Sequence, residues 1–167
     1  PDIVDLSSND YLGLAARTDL TERFFAEFAP GSLPMSASAS RLLGARQRDF
    51  DSFEALLADC YERPALTFNS GYHANTGLVQ ALADKRSLIV ADRLVHASII
   101  DGIRLSGAPF ERFRHNDYDH LERILAAKAG AFETVIIIAE SVYSMDGDRA
   151  DIDRLISVRD RYTGKAI

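Results

Sequence analysis

This chain has no basic surplus. Its 167 residues hold 19 Lys and Arg against 25 Asp and Glu, a net charge of -6. With its arginines scattered rather than clustered, it offers no positive face to neutralise the phosphates of a nucleic acid or an anionic membrane. Cysteine is nearly missing too. Cys60, the single one, can form no internal disulfide and lacks the companions of a thiolate metal site, so no metal is expected. It should pack as a small buried hydrophobe, which suits a reducing, cytoplasmic setting. No apolar run approaches the roughly 20 residues of a membrane span, and no signal-peptide pattern opens the sequence. No G-x-G-x-x-G follows a strand-like run, which argues against a dinucleotide-binding domain. Internal repeats and low-complexity tracts are absent as well.

What is present is an ordinary globular composition, 47% hydrophobic and 26% charged, in a length that can bury a core. From about residue 50 the pattern alternates. Helical spacing over 50–60 places Phe53, Leu56 and Leu57 on one side, and Ala65-Leu66-Thr67-Phe68 reads as a strand. Helices are predicted over 72–83, 97–106, 117–128 and 151–162. Strands are predicted over 87–91, 110–113 and 134–139. Repeated strand–helix units with short connections imply an α/β fold, three layers deep, with a mostly parallel sheet between helices. Residues 1–48 differ, and Gly31 to Arg41 is rich in small and hydroxylated residues. That stretch reads equally as a surface linker or as backbone lying close to a ligand. Pro1 to Leu6 looks extended, and Gly164-Lys165-Ala166-Ile167 looks like a helix C-cap followed by the opening of another strand. Such ends suggest a piece of a longer protein.

In open α/β sheets ligands bind beyond the C-terminal ends of the strands, and three turns there carry chemistry. In Asn69-Ser70-Gly71-Tyr72-His73-Ala74-Asn75 a strand-like run gives way to a helix whose free N–H groups suit a phosphate. Ala91-Asp92-Arg93-Leu94-Val95-His96-Ala97-Ser98 offers His96, readable as a helix cap or as a flat ring stacked on a cofactor. Glu140-Ser141-Val142-Tyr143-Ser144-Met145-Asp146-Gly147-Asp148 follows the apolar run 133–139 with hydroxyls and carboxylates. It reads as a site or as a solvated, Asp-capped turn. Three such turns on one sheet favour a shared pocket.

These residues resemble a family, the α-oxoamine synthases, pyridoxal-phosphate (PLP) enzymes of fold type I. Besides the three turns, the likeness rests on Ser8-Asn9-Asp10-Tyr11-Leu12-Gly13-Leu14, Ser40-Arg41-Leu42-Leu43-Gly44 and His115-Asn116-Asp117. The resemblance implies the large domain of that fold, with residues 1–48 as an arm and active-site segment and 49–167 as the domain's first half. It implies PLP as cofactor, with Ser70, Gly71 and Tyr72 at its phosphate, His96 stacked on its ring and Ser144 near its phenolic oxygen. His96 and Ser144 would thus be catalytic, and Asn9 and Ser40 would line the substrate. It further implies a homodimer that condenses an amino acid with an acyl thioester and loses CO2. The wording is nearest to the member that joins L-alanine to pimeloyl-CoA or a pimeloyl-carrier protein in biotin biosynthesis. A glycine-using acetyltransferase of the same family is one rival, and a non-catalytic α/β binding module is another. The family's Schiff-base lysine and ring-nitrogen aspartate have no counterpart here, since Lys85, Lys128 and Lys165 stand in other contexts. The chain alone is therefore expected to be inactive.

Overall fold

Ser87-Leu88-Ile89-Val90-Ala91-Asp92 shows no polar alternation because neither face of it meets water: all six residues are buried in strand β1 (Ser87–Asp92). The computed structural model describes residues 7–28, 31, 40–43, 48–162 and 166–167, in two compact units, 1–56 and 57–167. The expected extended start at 1–6, most of the small-residue segment (32–39) and the Gly164-Lys165 cap lie outside the described residues.

In the second unit β1 is the centre of a parallel sheet, flanked by β2 (Phe110–Phe113) and β3 (Thr134–Ile138). The register sets Ile89 beside Phe110 and Ile136. Successive side chains take opposite faces. Ile89, Ala91 and Ile136 pack under Val79 and Ala83 at α3 (Gly71–Leu82) and under Ile99 and Ile103 of α4 (Ala97–Ser106). Leu88, Val90 and Val135 pack under Leu121 and Leu125 of α5 (Tyr118–Lys128) and Val158 of α6 (Ile152–Asp160). The three layers of the sequence reading are thus present. Each fully buried Leu, Ile or Val contributes about 1.5–3 kcal/mol. Ile167 N–H donates to the Val135 carbonyl at 2.9 Å, so residues 166–167 run parallel along the outer edge of β3.

Polar residues start each helix. Ser70, His96, Asp117 and Asp151 accept backbone N–H groups from His73, Ser98, His120 and Arg154. Gly107, at φ 66°, ends α4 in the left-handed region where glycine is unstrained. Gly102 lets α3 and α4 meet: a Cβ there would lie 3.1 Å from the Thr76 Cα and 3.2 Å from the Asn75 carbonyl.

Two expectations change. Residues 65–68 form no strand; they lie outside the sheet made by β2, β1 and β3, and Leu66 is 66% exposed. A run of strand-forming residues becomes a strand only when a neighbour accepts its backbone bonds. Cys60 is exposed rather than buried. The partly covered positions of α2 (Arg48–Tyr61) are Glu54, Leu57 and Ala58, and Cys60 lies outside the arc they span, about 60° beyond Leu57.

The first unit holds α1 (Thr18–Glu27), which the sequence reading did not anticipate. Phe24 packs edge-on to Phe25 and 4.9 Å from the ring of Phe28. Ahead of it the Asp10 carboxylate accepts Leu14 N–H at 2.8 Å and Ala15 N–H at 3.1 Å, closing a 3-10 turn over Leu14–Ala16.

Candidate active site at the strand ends

The first turn enters α3 through Ser70, whose Oγ accepts His73 N–H at 3.2 Å and pairs with His73 Nδ1 at 2.9 Å. The N–H groups of Gly71 and Tyr72 come before any intrahelical acceptor and have no protein partner among the described residues. Both residues are exposed, and a Cβ built on Gly71 meets nothing within 4 Å. Tyr72 contributes only its backbone there. Its phenol reaches α4 and donates to Asp101, a bond that raises its pKa.

His96, at the second turn, sits exposed at the start of α4. Its Nδ1 accepts Ser98 N–H at 3.2 Å and lies 2.7 Å from Ser98 Oγ. Asn75 Nδ2 in α3 donates to that same Oγ at 2.9 Å. The backbone N–H of His96 donates to the Glu140 carboxylate, beyond β3. The first turn is thereby bonded to the second, and the second to the third.

The third turn is a small hairpin. Val142 bridges Arg149, Tyr143 N–H donates to the Asp148 carbonyl at 2.9 Å, and Gly147 N–H returns to the Tyr143 carbonyl at 2.8 Å. Gly147 adopts φ 72°, which closes the bend. Ser144 stands exposed at the tip, and its hydroxyl bonds to no protein group among the described residues.

Beneath these turns lies a polar network that the sequence reading did not assign. Asp92, fully buried at the end of β1, accepts Leu94 N–H at 2.8 Å, His115 Nδ1–H at 2.9 Å and Asn116 N–H at 3.0 Å. His115 Nε2 lies 2.7 Å from Asp148 Oδ2, which Asn116 Nδ2 also reaches at 2.8 Å. Tyr118 then donates to Asn116 Oδ1 at 3.0 Å and accepts Asp151 N–H at 2.7 Å, carrying the network to the start of α6. Burial opposes charge on His115, but its bonds to the two carboxylates and their negative potential outweigh that, and its pKa is raised. Tyr143 sets its ring edge-on to His115, 4.5 Å away. Burial raises its phenol, which lies beside Asp92 without a well-formed hydrogen bond. The ligating atoms of His115, Asp146 and Asp148 fall within 4.8 Å of one another. Both nitrogens of His115 are already engaged, so the group is built as an ion-pair network.

The other two sequence-derived residues lie in the first unit. Asn9 Oδ1 accepts the Tyr11 hydroxyl at 3.1 Å, and Ser40 Oγ accepts Leu42 N–H at 3.2 Å. Both are exposed. No helix among the described residues is long and apolar enough to cross a membrane.

The signal for the missed residues was a lone carboxylate, Asp92, closing an otherwise apolar strand, with His115 at the matching end of the next one. Comparison with known proteins bears on the family of the chain. The model of the family "Aminotransferase class I and II" matches residues 1–166. A Chlorobaculum parvum protein named 8-amino-7-oxononanoate synthase is 47% identical over 166 residues, covering 96% of this chain and 42% of the relative. A solved serine palmitoyltransferase from S. paucimobilis with bound PLP superposes with a TM-score of 0.74 at 29% identity, over 95% of this chain and 37% of that one. The 8-amino-7-oxononanoate synthase of Francisella tularensis gives a TM-score of 0.73 at 28% identity, over 94% and 42%. The chain thus spans less than half the length of these relatives. It belongs to the aminotransferase class I and II family, and the relatives it resembles there are α-oxoamine synthases.

Proposed function

We propose that this chain is the phosphate- and ring-binding portion of a PLP-dependent α-oxoamine synthase, with residues 1–48 as its arm and 49–167 as the first half of its large domain. The observation that carries this reading is the bonding of three ligand-facing turns into one unit, through Asn75 to Ser98 and His96 to Glu140. The residues present suit the cofactor. The exposed Gly71 and Tyr72 N–H groups, at the positive end of α3 and without an acceptor among the described residues, suit a phosphate. Ser70 holds that turn in shape. The exposed His96 ring offers a flat face for stacking, and the Ser144 hydroxyl can donate to an oxygen on the ligand. Asn9 and Ser40 are assigned to the substrate.

When bound, PLP supplies an electron sink for carbanion chemistry. The protein's part is to orient the ring, through His96, and to bind its anionic ends, through the α3 amides and Ser144. In the full-length, homodimeric, cytoplasmic protein this reading assigns the condensation of L-alanine with pimeloyl-CoA or pimeloyl-carrier protein, releasing CO2, for biotin biosynthesis. The chain alone, with no suitable lysine, is assigned no activity.

A PLP titration of the full-length protein, followed by absorbance, tests the cofactor. A screen of L-alanine with pimeloyl-CoA against glycine with acetyl-CoA tests the substrates. Absence of PLP binding would leave a non-catalytic module; a preference for the second pair would make the protein a glycine-using acetyltransferase.

A further inference from the structure

His96 offers one ring nitrogen to the protein and keeps the other. Nδ1 points back at the start of α4, and Nε2 has no protein partner among the described residues. The group facing Nδ1 at 3.2 Å is the backbone N–H of Ser98, which can only donate. A proton on Nδ1 would meet that N–H head-on, so Nδ1 must present its lone pair. The Ser98 hydroxyl, 2.7 Å from the same nitrogen, is held in a direction that fits. Ser98 is fully buried, and Asn75 Nδ2 donates to its Oγ at 2.9 Å. The oxygen thus accepts from Asn75, and its own proton is left for Nδ1. Hydrogen bonds run in one direction: Asn75 to Ser98, Ser98 to His96.

We infer that Ser98 and Asn75 are positioning residues that hold the His96 imidazole in a single tautomer, with the proton on Nε2, so that the ring presents a donor to whatever lies above the three turns. The partner at the second nitrogen selects the proton's place on an imidazole, and here that partner comes from a helix cap. Gly102 contributes at one remove. Its missing Cβ lets α4 approach Asn75 closely enough for the chain of bonds to form. Glu140 anchors His96 by accepting its backbone N–H, fixing where the ring starts. The inference rests on the proposed function only in taking His96 as the ring that faces a ligand.

The test reads the tautomer itself. The full-length protein, labelled with 15N at its histidine rings, is examined at about pH 8, above the usual imidazole range, without and with added PLP. The His96 signals are assigned by their loss in His96→Gln. The expected spectrum has an unprotonated Nδ1 and a protonated Nε2 before any cofactor is added. Nδ1 protonated, or an even mixture, overturns the inference. Ser98→Ala should raise the minor tautomer roughly fivefold, the effect of one lost hydrogen bond, and Ser98→Thr, which keeps the hydroxyl, should restore the original ratio. An unchanged ratio in Ser98→Ala removes Ser98 from the mechanism. If that variant does not fold, Asn75→Ala leaves the buried hydroxyl in place but frees its direction, and a ratio that does not move there overturns the assignment of Asn75. A protein with the expected tautomer that binds no PLP would sink the proposed function and leave this inference standing. The opposite result would do the reverse.

Discussion

Two polar clusters share the C-terminal end of the sheet, and they are built on opposite plans. Around Asp92, His115, Asn116 and Asp148 nearly every donor has an acceptor inside the protein. Around Gly71, His96 and Ser144 two amides, one ring nitrogen and one hydroxyl belong to exposed residues and have no protein partner among the described residues. A nearly saturated network, with only the Tyr143 hydroxyl and Asp148 Oδ1 buried and unpaired among the described residues, fixes geometry, since breaking any member leaves a further buried polar group unpaired. In the proposed reading the open rim meets its ligand with donors already held in place, which lowers the cost of ordering on binding. The two are coupled through the Val142–Arg149 hairpin, which carries Ser144 at its tip and Asp148 in its base.

The difference can be broken from the saturated side first. Asp92→Ala should cost about 3–5 kcal/mol, because three N–H groups lose their buried acceptor, and denaturant unfolding would measure it. A cost under about 1 kcal/mol would mean that the network is decorative. Next in size, Gly102→Ala should destabilise by about 1–3 kcal/mol through overpacking of α4 on the Asn75–Thr76 backbone. It should also weaken PLP binding, as Asn75 and Ser98 are pushed apart. On the open side Gly71→Val should behave differently. Its Cβ meets no protein atom within 4 Å, so unfolding should change little, while PLP affinity falls roughly tenfold by obstruction of the phosphate. Comparable losses in stability and affinity would place Gly71 with the structural residues instead.

The smallest effect is the pH dependence of His115. Its pKa is raised in the folded protein, so its charged form stabilises the fold fully below the unfolded value near 6.5. That contribution fades as pH rises through the higher folded value. Unfolding free energy followed from about pH 6 to 9 should decline in the parent protein relative to His115→Gln. Parallel curves would show that the imidazole carries no charge of consequence.

The sheet and the helices around it were legible because β1 and β3 carry apolar runs, β2 alternates, and each of those helices opens on a capping side chain. The rim was legible for a related reason. Ser70, His96 and Ser144 each follow a strand or strand-like run, so local pattern alone points at them. The Asp92 network was not. Its members are 23 and 33 residues apart along the chain, and no periodicity links a carboxylate after one strand to an imidazole after another. Residues 65–68 failed for the same cause, since their conformation depends on a backbone partner that local composition does not specify. Cys60 is exposed despite its residue type's usual preference for burial, because exposure depends on what covers each side of α2, which composition does not specify.

β1 also determines how freely this protein could change. Leu88 and Val90 support the α5–α6 layer, whereas Ile89 and Ala91 support the α3–α4 layer. Substitutions at alternate positions of one strand therefore act on different scaffolds. A lineage could repack the layer behind Gly71 and His96, and so reshape what the rim accepts, while the layer beneath His115 and Tyr118 stayed as it was. Neighbouring residues in the sequence would then record separate histories.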